Sequence, residues 1–244
     1  MNKTLKKIAL VTGSATRIGA RIATYLAKKK WSIILHYNHS QNEAEKLAKE
    51  LSKITEIFLV KSDLSDEKDY GILIKHINDN FGIIDLLINN AAHFLNDNIA
   101  NLNKDSLDQH LQINLIAPLM LCKDFQQQYS GTNGNIVNIL DNTINQTSTD
   151  FLSYNISKNA LAFATKSLSL SMAPHIRVNA ICPGPTIINQ NQSQKHFDNL
   201  CKNTPLGYSG KISDICNTID FILKNRSITG QMIFLDGGSH LKNN

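Results

Sequence analysis

Tyr154 and Lys158 stand four residues apart in Tyr154-Asn155-Ile156-Ser157-Lys158, and Asp141 lies thirteen residues upstream of the tyrosine. On a helix, positions i and i+4 share a face, so the spacing predicts a phenol beside an ammonium. A lysine held there favours the phenolate and draws down a tyrosine pKa that starts near ~10. Such a tyrosine gives or takes a proton near neutral pH, which is acid–base chemistry. The same spacing also fits an ordinary helix surface, so the elements around it have to decide.

Those elements alternate. Apolar runs at 8–12, 32–36, 57–60, 84–88, 135–139, 177–181 and 231–235 read as strands. Helical periodicity covers 18–29, 42–53, 66–80, 104–128, 154–172 and 212–224, with Ser65 as a cap for the third. Repeated βαβ units of this length predict a parallel sheet with helices on both faces, an α/β protein. No linker or composition break divides residues 1–244, which suits one domain. Residues 186–204 are rich in Asn and Gln. They fit either a disordered insertion or, following the carboxyl end of a strand where ligands bind, a mobile substrate lid; the lid is the favoured expectation.

Composition narrows the function classes. The chain has 244 residues, a net charge of +5 and 42% hydrophobic residues, enough for a substantial core. The densest basic runs, Lys6-Lys7 and Lys28-Lys29-Lys30, read as solvated charges and not as a nucleic-acid footprint. Cys122, Cys182, Cys201 and Cys216 show no paired metal spacing, so no metal and reduced, cytoplasmic thiols are expected. No apolar stretch approaches ~20 residues, so no membrane span is expected.

Thr12-Gly13-Ser14-Ala15-Thr16-Arg17-Ile18-Gly19 joins the first strand to the first helix. Gly13 permits a tight turn, Gly19 permits close packing of helix on strand, and amides at the helix start face a pyrophosphate. The second strand ends in His36-Tyr37-Asn38-His39-Ser40, without the acid that usually accepts from an NAD ribose. The histidines and the hydroxyl are expected to donate to a 2′-phosphate, with Arg17 near enough to help, so NADPH is the expected cofactor. Asp63, with Leu64 beside it, flanks the adenine or caps the next turn. Asn89-Asn90-Ala91-Ala92 follows the fourth strand, where small residues admit a cofactor.

Together these motifs resemble the short-chain dehydrogenase/reductase family over nearly the whole chain, from Thr12-Gly13 through Asn89-Asn90-Ala91, Tyr154-x-x-x-Lys158 and Pro183-Gly184 to Leu235-Asp236-Gly237-Gly238. The resemblance implies a doubly wound, seven-stranded Rossmann sheet in a homodimer or homotetramer. It implies Tyr154 as proton donor, and Lys158 as the residue that binds the nicotinamide ribose and lowers the tyrosine pKa. Pro183 and Gly184 join the cofactor site, and Pro185 the substrate site. Asn114 looks like the asparagine that holds a proton-relay water, although a helix-interior Asn also bonds backbone.

Two departures narrow the likeness. Arg17 replaces the usual glycine, and Asp141 replaces the usual catalytic serine. Both are similar to pteridine reductases and the related dihydromonapterin/dihydrofolate reductases, as are Leu35-His36-Tyr37 with Ser40, and Asn90-Ala91-Ala92-His93-Phe94. In that group an arginine like Arg17 contacts phosphate and pterin, and a phenylalanine like Phe94 stacks on the pterin. His39 stands where the group often has arginine.

Asp141 carries the chemical argument. A ketone reductase builds negative charge on the substrate oxygen, and a carboxylate ~4 Å away opposes it by about 4 kcal/mol, roughly a thousandfold in rate. A pterin C=N takes hydride on carbon and a proton on nitrogen, so no alkoxide forms. Asp141 is then free to accept from a pterin amino group or to keep Tyr154 protonated. Alternatively Asp141 is itself protonated, or turns away and caps a loop. The sequence thus points to an NADPH-dependent dihydropterin reductase. A carbonyl reductase of oxoacyl or sugar type and a non-catalytic NADPH-binding protein are the rivals.

Overall fold

The computed structural model describes residues 6–131, 133–144, 146–188 and 192–242. Seven parallel strands form one sheet in the order β3-β2-β1-β4-β5-β6-β7. They are β1 Ile8–Val11, β2 Ser32–Tyr37, β3 Ile57–Lys61, β4 Leu86–Asn89, β5 Gly134–Ile139, β6 Ile176–Pro183 and β7 Met232–Leu235. The order reverses between β1 and β4, which opens a crevice at the strands' carboxyl ends.

Both sheet faces are apolar because successive strand residues point to opposite sides. Leu10, Ile34, Leu87, Ile136 and Val178 pack in one core layer. Val11, Ile33, Leu35, Ile88, Val137 and Ile181 pack in the other. The second layer is covered by α1 (Arg17–Lys28) through Ile22 and Leu26, with α2 (Gln41–Leu51) contributing Leu51.

The expected helix at 66–80 is two pieces, α3 (Glu67–Tyr70) and α4 (Leu73–Asn80), parted at Gly71. Its cap is Asp66, not Ser65, because the Asp66 carboxylate accepts from the Lys68 amide. The expected helix at 104–128 is α5 (Lys104–Leu111) and α6 (Ala117–Gln128) joined through a π-helical segment, Gln112–Ile116. Such segments are frequent at functional sites, and this one carries Asn114.

The helix bearing Tyr154, α7 (Leu152–Ser171), starts two residues earlier than its periodicity suggests. Part of the segment read as a lid is an ordered helix, α8 (Gln194–Lys202), capped by the Ser193 hydroxyl accepting from the His196 amide. Residues 189–191 of that segment lie outside the described residues. The last long helix, α9 (Ile212–Lys224), packs Ile215, Ile219 and Ile222 against the α1 side.

Candidate active site

A cleft of about 700 Å³ opens at the carboxyl ends of the strands. Its floor is the β1–α1 turn laced to the end of β4. The Thr12 hydroxyl accepts from the Asn90 and Ala91 amides at 2.9 and 3.0 Å. The Asn90 side-chain amide donates to the Thr12 and Gly13 carbonyls. Gly13 sits at φ +60°, and a Cβ there would lie 3.0 Å from Ala91 Cα. At Gly19 a Cβ would meet the Gly13 carbonyl at 2.3 Å, so helix and turn touch only because residue 19 is glycine.

The start of α1 suits a pyrophosphate. Thr16 makes no side-chain cap, and the first turn holds no acid. The first amides of a helix lack intrahelical partners and carry partial positive charge, so an anion completes them. Arg17 has φ +51°, a left-handed conformation that costs a non-glycine residue roughly 1–2 kcal/mol. That explains why glycine is the usual residue there. The Arg17 guanidinium lines the cleft and donates to the Ile188 and Ile187 carbonyls at 3.0 and 3.3 Å, tying the turn to the root of the α8 segment.

The chemistry lies opposite. The Tyr154 hydroxyl donates to Asp141 Oδ2 at 3.1 Å. Asp141 Oδ1 accepts from the Thr143 amide and hydroxyl at 3.0 and 2.8 Å. One carboxylate therefore caps the loop and holds the tyrosine together, where the sequence leaves these as alternatives. Lys158 Nζ donates to the Ile139 carbonyl at 2.8 Å and sits 5.7 Å from the Tyr154 ring centre.

The tyrosine pKa is raised on balance, against the lowering expected from Lys158. Burial first, and Asp141 second by charge and hydrogen bond, push Tyr154 well above the usual phenol range. Burial also draws Lys158 down to about 8, against the pull of Asp141. Both residues are almost completely enclosed, and burial disfavours the charged form of each, the phenolate and the ammonium alike.

Phe94 is half-exposed at the mouth. It stacks on Phe151 with centroids 4.7 Å apart and rings 9° from parallel, and meets Tyr154 edge-on at 4.7 Å. Asn114 is buried and grips the segment before Phe94. Its Oδ1 accepts from the His93 amide at 2.7 Å, and its Nδ2 donates to the His93 carbonyl and the Ser157 hydroxyl at 2.9 and 3.0 Å. The next part of the segment caps α7. Asn96 Oδ1 accepts from the Phe151 amide, the Asp97 carbonyl from the Leu152 amide, and the Asp97 carboxylate from the Ser153 amide and hydroxyl. This cap from across the chain, 56 residues away for Asp97, explains the early start of α7.

The cleft brings together Gly13, Arg17, Ile18, Gly19, Asn90, Ala91, Ala92, Phe94, Asp141, Tyr154, Lys158, Pro183, Gly184 and Pro185. The β2 end is different. His36 is 2% exposed; its Nδ1 accepts from the Gly13 amide at 3.0 Å and its Nε2 bonds the Ser62 carbonyl at 3.1 Å. Both ring nitrogens are engaged, so His36 cannot donate to a 2′-phosphate as expected. Tyr37 packs on Ala15 and Ala44 under the turn, and the Leu64 side chain lies in the core. Asp63 caps its turn by accepting from the Ser65 amide and hydroxyl at 2.8 and 2.7 Å. Burial raises its pKa, but bonds from Ser65 and Asn38 and the nearby His39 outweigh it and hold Asp63 below its usual range. Asn38, His39 and Ser40 remain at the surface edge.

Sequence reading missed Phe151, turned into the cleft by a left-handed backbone at φ +56°, and covered Gln192, His196, Phe197 and Leu200 only as part of the 186–204 segment, without singling them out. No periodicity marks them; Phe197 and Leu200, three apart, are the one helical hint. Among the described residues no cluster of three or more metal-ligating side chains occurs, and no helix is long and apolar enough to cross a membrane.

A switch-point crevice with a buried tyrosine–lysine pair and a phosphate-ready turn defines an α/β oxidoreductase. Comparison with known proteins agrees. The family model described as enoyl-(acyl carrier protein) reductase matches residues 13–240. The structure of FolM alternative dihydrofolate reductase 1 from Brucella canis, complexed with NADP, superposes with a TM-score of 0.93 at 36% identity, covering 98% of this chain and 95% of that one. An uncharacterized oxidoreductase of Bacillus subtilis is 32% identical over 98% of both chains. The 3-oxoacyl-[acyl-carrier-protein] reductase FabG of Staphylococcus epidermidis is 27% identical over 97% of this chain and all of its own. The chain belongs to the short-chain dehydrogenase/reductase family.

Proposed function

We propose that this oxidoreductase uses NADPH to reduce a dihydropterin of the biopterin, monapterin or folate type to its tetrahydro form. The observation that carries the reading is the Asp141 carboxylate bonded to the Tyr154 hydroxyl at 3.1 Å beneath the exposed Phe94 ring. The Brucella structures of FolM dihydrofolate reductase, similar over 98% of this chain, support it. We place the whole chain in one NADP-binding domain, working as a homodimer or homotetramer in the cytoplasm.

The amides of Arg17, Ile18 and Gly19 and the backbone of Asn90–Ala92 would hold the cofactor, with Lys158 on its ribose and Pro183–Gly184 against the nicotinamide. When bound there, NADPH supplies the hydride for the ring C=N carbon. The protein's own residues do the rest. Phe94 stacks on the pterin, Arg17 and Pro185 bound its edge, and Asp141 accepts from its amino group. Tyr154, kept protonated by Asp141, supplies the proton directly or through water. The Lys158 ammonium offsets the charge left on the phenol, and Asn114 holds the relay water and the Phe94 segment.

A ketone fits this pocket poorly, since its oxyanion would form beside Asp141 at a cost of about 4 kcal/mol. NADPH oxidation followed with dihydrobiopterin, dihydromonapterin, dihydrofolate and a β-ketoester tests the reading. At least one pteridine is expected to turn over about a thousandfold faster than the ketoester. The variant Asp141→Ser is expected to narrow that gap. Brisk ketoester reduction by the native protein, with every pteridine inert, defeats the proposal.

A further inference from the structure

We propose that His36 is a positioning residue for cofactor binding: its imidazole clamps the pyrophosphate turn to the segment flanking the adenine. The inference rests on the NADPH part of the proposed function and is independent of the pterin. The geometry fixes the ring's state. Gly13 N–H donates to Nδ1, so Nδ1 carries no proton; Nε2 therefore holds it and donates to the Ser62 carbonyl. The His36 carbonyl also accepts from the Ser14 amide and hydroxyl at 2.9 and 3.2 Å. A single residue thus grips Gly13 and Ser14 on one side and Ser62 on the other.

Gly13 lines the cleft proposed for the cofactor, and Ser62 leads into the segment expected beside the adenine. Gly13, at φ +60°, leads into the turn whose amides face the pyrophosphate. Ser62 precedes Asp63 and Leu64, and its amide is fixed to the Tyr37 carbonyl. The imidazole therefore sets the spacing between two walls of the adenosine half. Burial lowers the His36 pKa to about 4, so the neutral ring persists across the working range. No other side chain provides an acceptor and a donor on one small planar ring, and glutamine, with one of each on a carboxamide, is the nearest substitute.

The test compares His36→Leu with His36→Gln. Leucine leaves the part-buried Gly13 amide and the buried Ser62 carbonyl without their imidazole partner, so the NADPH Kd from fluorescence titration is expected to rise about tenfold or more. The KM for NADPH should rise with it, while the KM for the second substrate stays within about twofold, and His36→Gln should recover most of the loss. An NADPH Kd unchanged in folded His36→Leu overturns the proposal, as does an equal rise of both KM values. If His36→Leu fails to fold, the ring tautomer and the Gly13 amide exchange of the native protein decide it. Ring nitrogen NMR at pH 6.5 should show a neutral Nε2–H tautomer, with the Gly13 amide exchanging slowly. A protonated or Nδ1–H ring, or a fast Gly13 amide, refutes it.

Discussion

The two ends of the cleft handle polar residues in opposite ways. At the Tyr154 end, Tyr154 and Lys158 are buried beside a half-buried Asp141, and the tyrosine bonds the carboxylate at the wall of an open cavity. At the β2 end, His36 and Asp63 turn to backbone amides and carbonyls, and leave Asn38, His39 and Ser40 at the edge. The first arrangement holds three ionisable groups close together at a cavity wall, which is chemistry. The second holds loops at fixed separation, which is architecture. A histidine or aspartate in a binding motif therefore has no assignable role until its own hydrogen-bond partners are known.

The largest expected effect breaks the first end and spares the second. Tyr154→Phe removes the proton donor and leaves the ring against Phe94. Turnover of the preferred dihydropterin is expected to fall at least about a hundredfold, the usual scale of general acid catalysis. The NADPH Kd should change little by comparison, since the adenosine walls are untouched. Near-normal NADPH oxidation by the variant would remove Tyr154 from the mechanism.

A second effect is thermodynamic. Lys158 is buried with its pKa drawn from 10.5 to about 8. Below about pH 8 it is charged in both folded and unfolded chains, and its burial is a constant penalty. Between about 8 and 10 the unfolded chain binds more protons than the folded one, so stability rises with pH. Relative to Lys158→Met, the native protein should gain on the order of 2–3 kcal/mol of unfolding free energy across that window. Denaturant titrations at pH 7 and pH 10 read it. A flat difference would mean the ammonium is better solvated than its enclosure implies. The β2 end, where His36 is already neutral well below this range, contributes no such slope.

What the sequence made legible follows the same division. The sheet was readable because both its faces are buried: runs such as Ile8–Val11 and Leu86–Asn89 need no partner to be recognised. Tyr154, Lys158 and Asp141 were readable because local spacing and a missing serine carry their meaning. That Asp141 can keep Tyr154 protonated is legible in the sequence, but the net direction of the tyrosine shift depends on how deeply Tyr154 itself is enclosed. The α7 cap from Asn96 and Asp97 was not legible, since it joins residues 55 and 56 positions apart. Nor was Phe151, which enters the cleft through a backbone conformation that phenylalanine rarely adopts. The His36 clamp hid behind a plausible ligand role, because its partners are backbone groups that any sequence supplies.

The smallest expected effect sharpens the β2 end. If the edge residues Asn38, His39 and Ser40 receive the 2′-phosphate, a guanidinium at position 39 should hold it better than imidazole, through paired charge-assisted hydrogen bonds. Asp63 stands close enough to His39 to interact with it electrostatically. An arginine there would divide its attraction between that carboxylate and the phosphate, which keeps the gain modest. His39→Arg is expected to lower the NADPH Kd by roughly three- to tenfold, about one charged hydrogen bond after competition. The NADH Kd should hardly move, because NADH lacks the phosphate. Added salt should erode the gain, since the site is exposed and screened. Equal tightening of both cofactors would place residue 39 near the shared part of the nucleotide. No change in either would move the 2′-phosphate away from this edge and leave His36, Asn38 and Asp63 as scaffold alone.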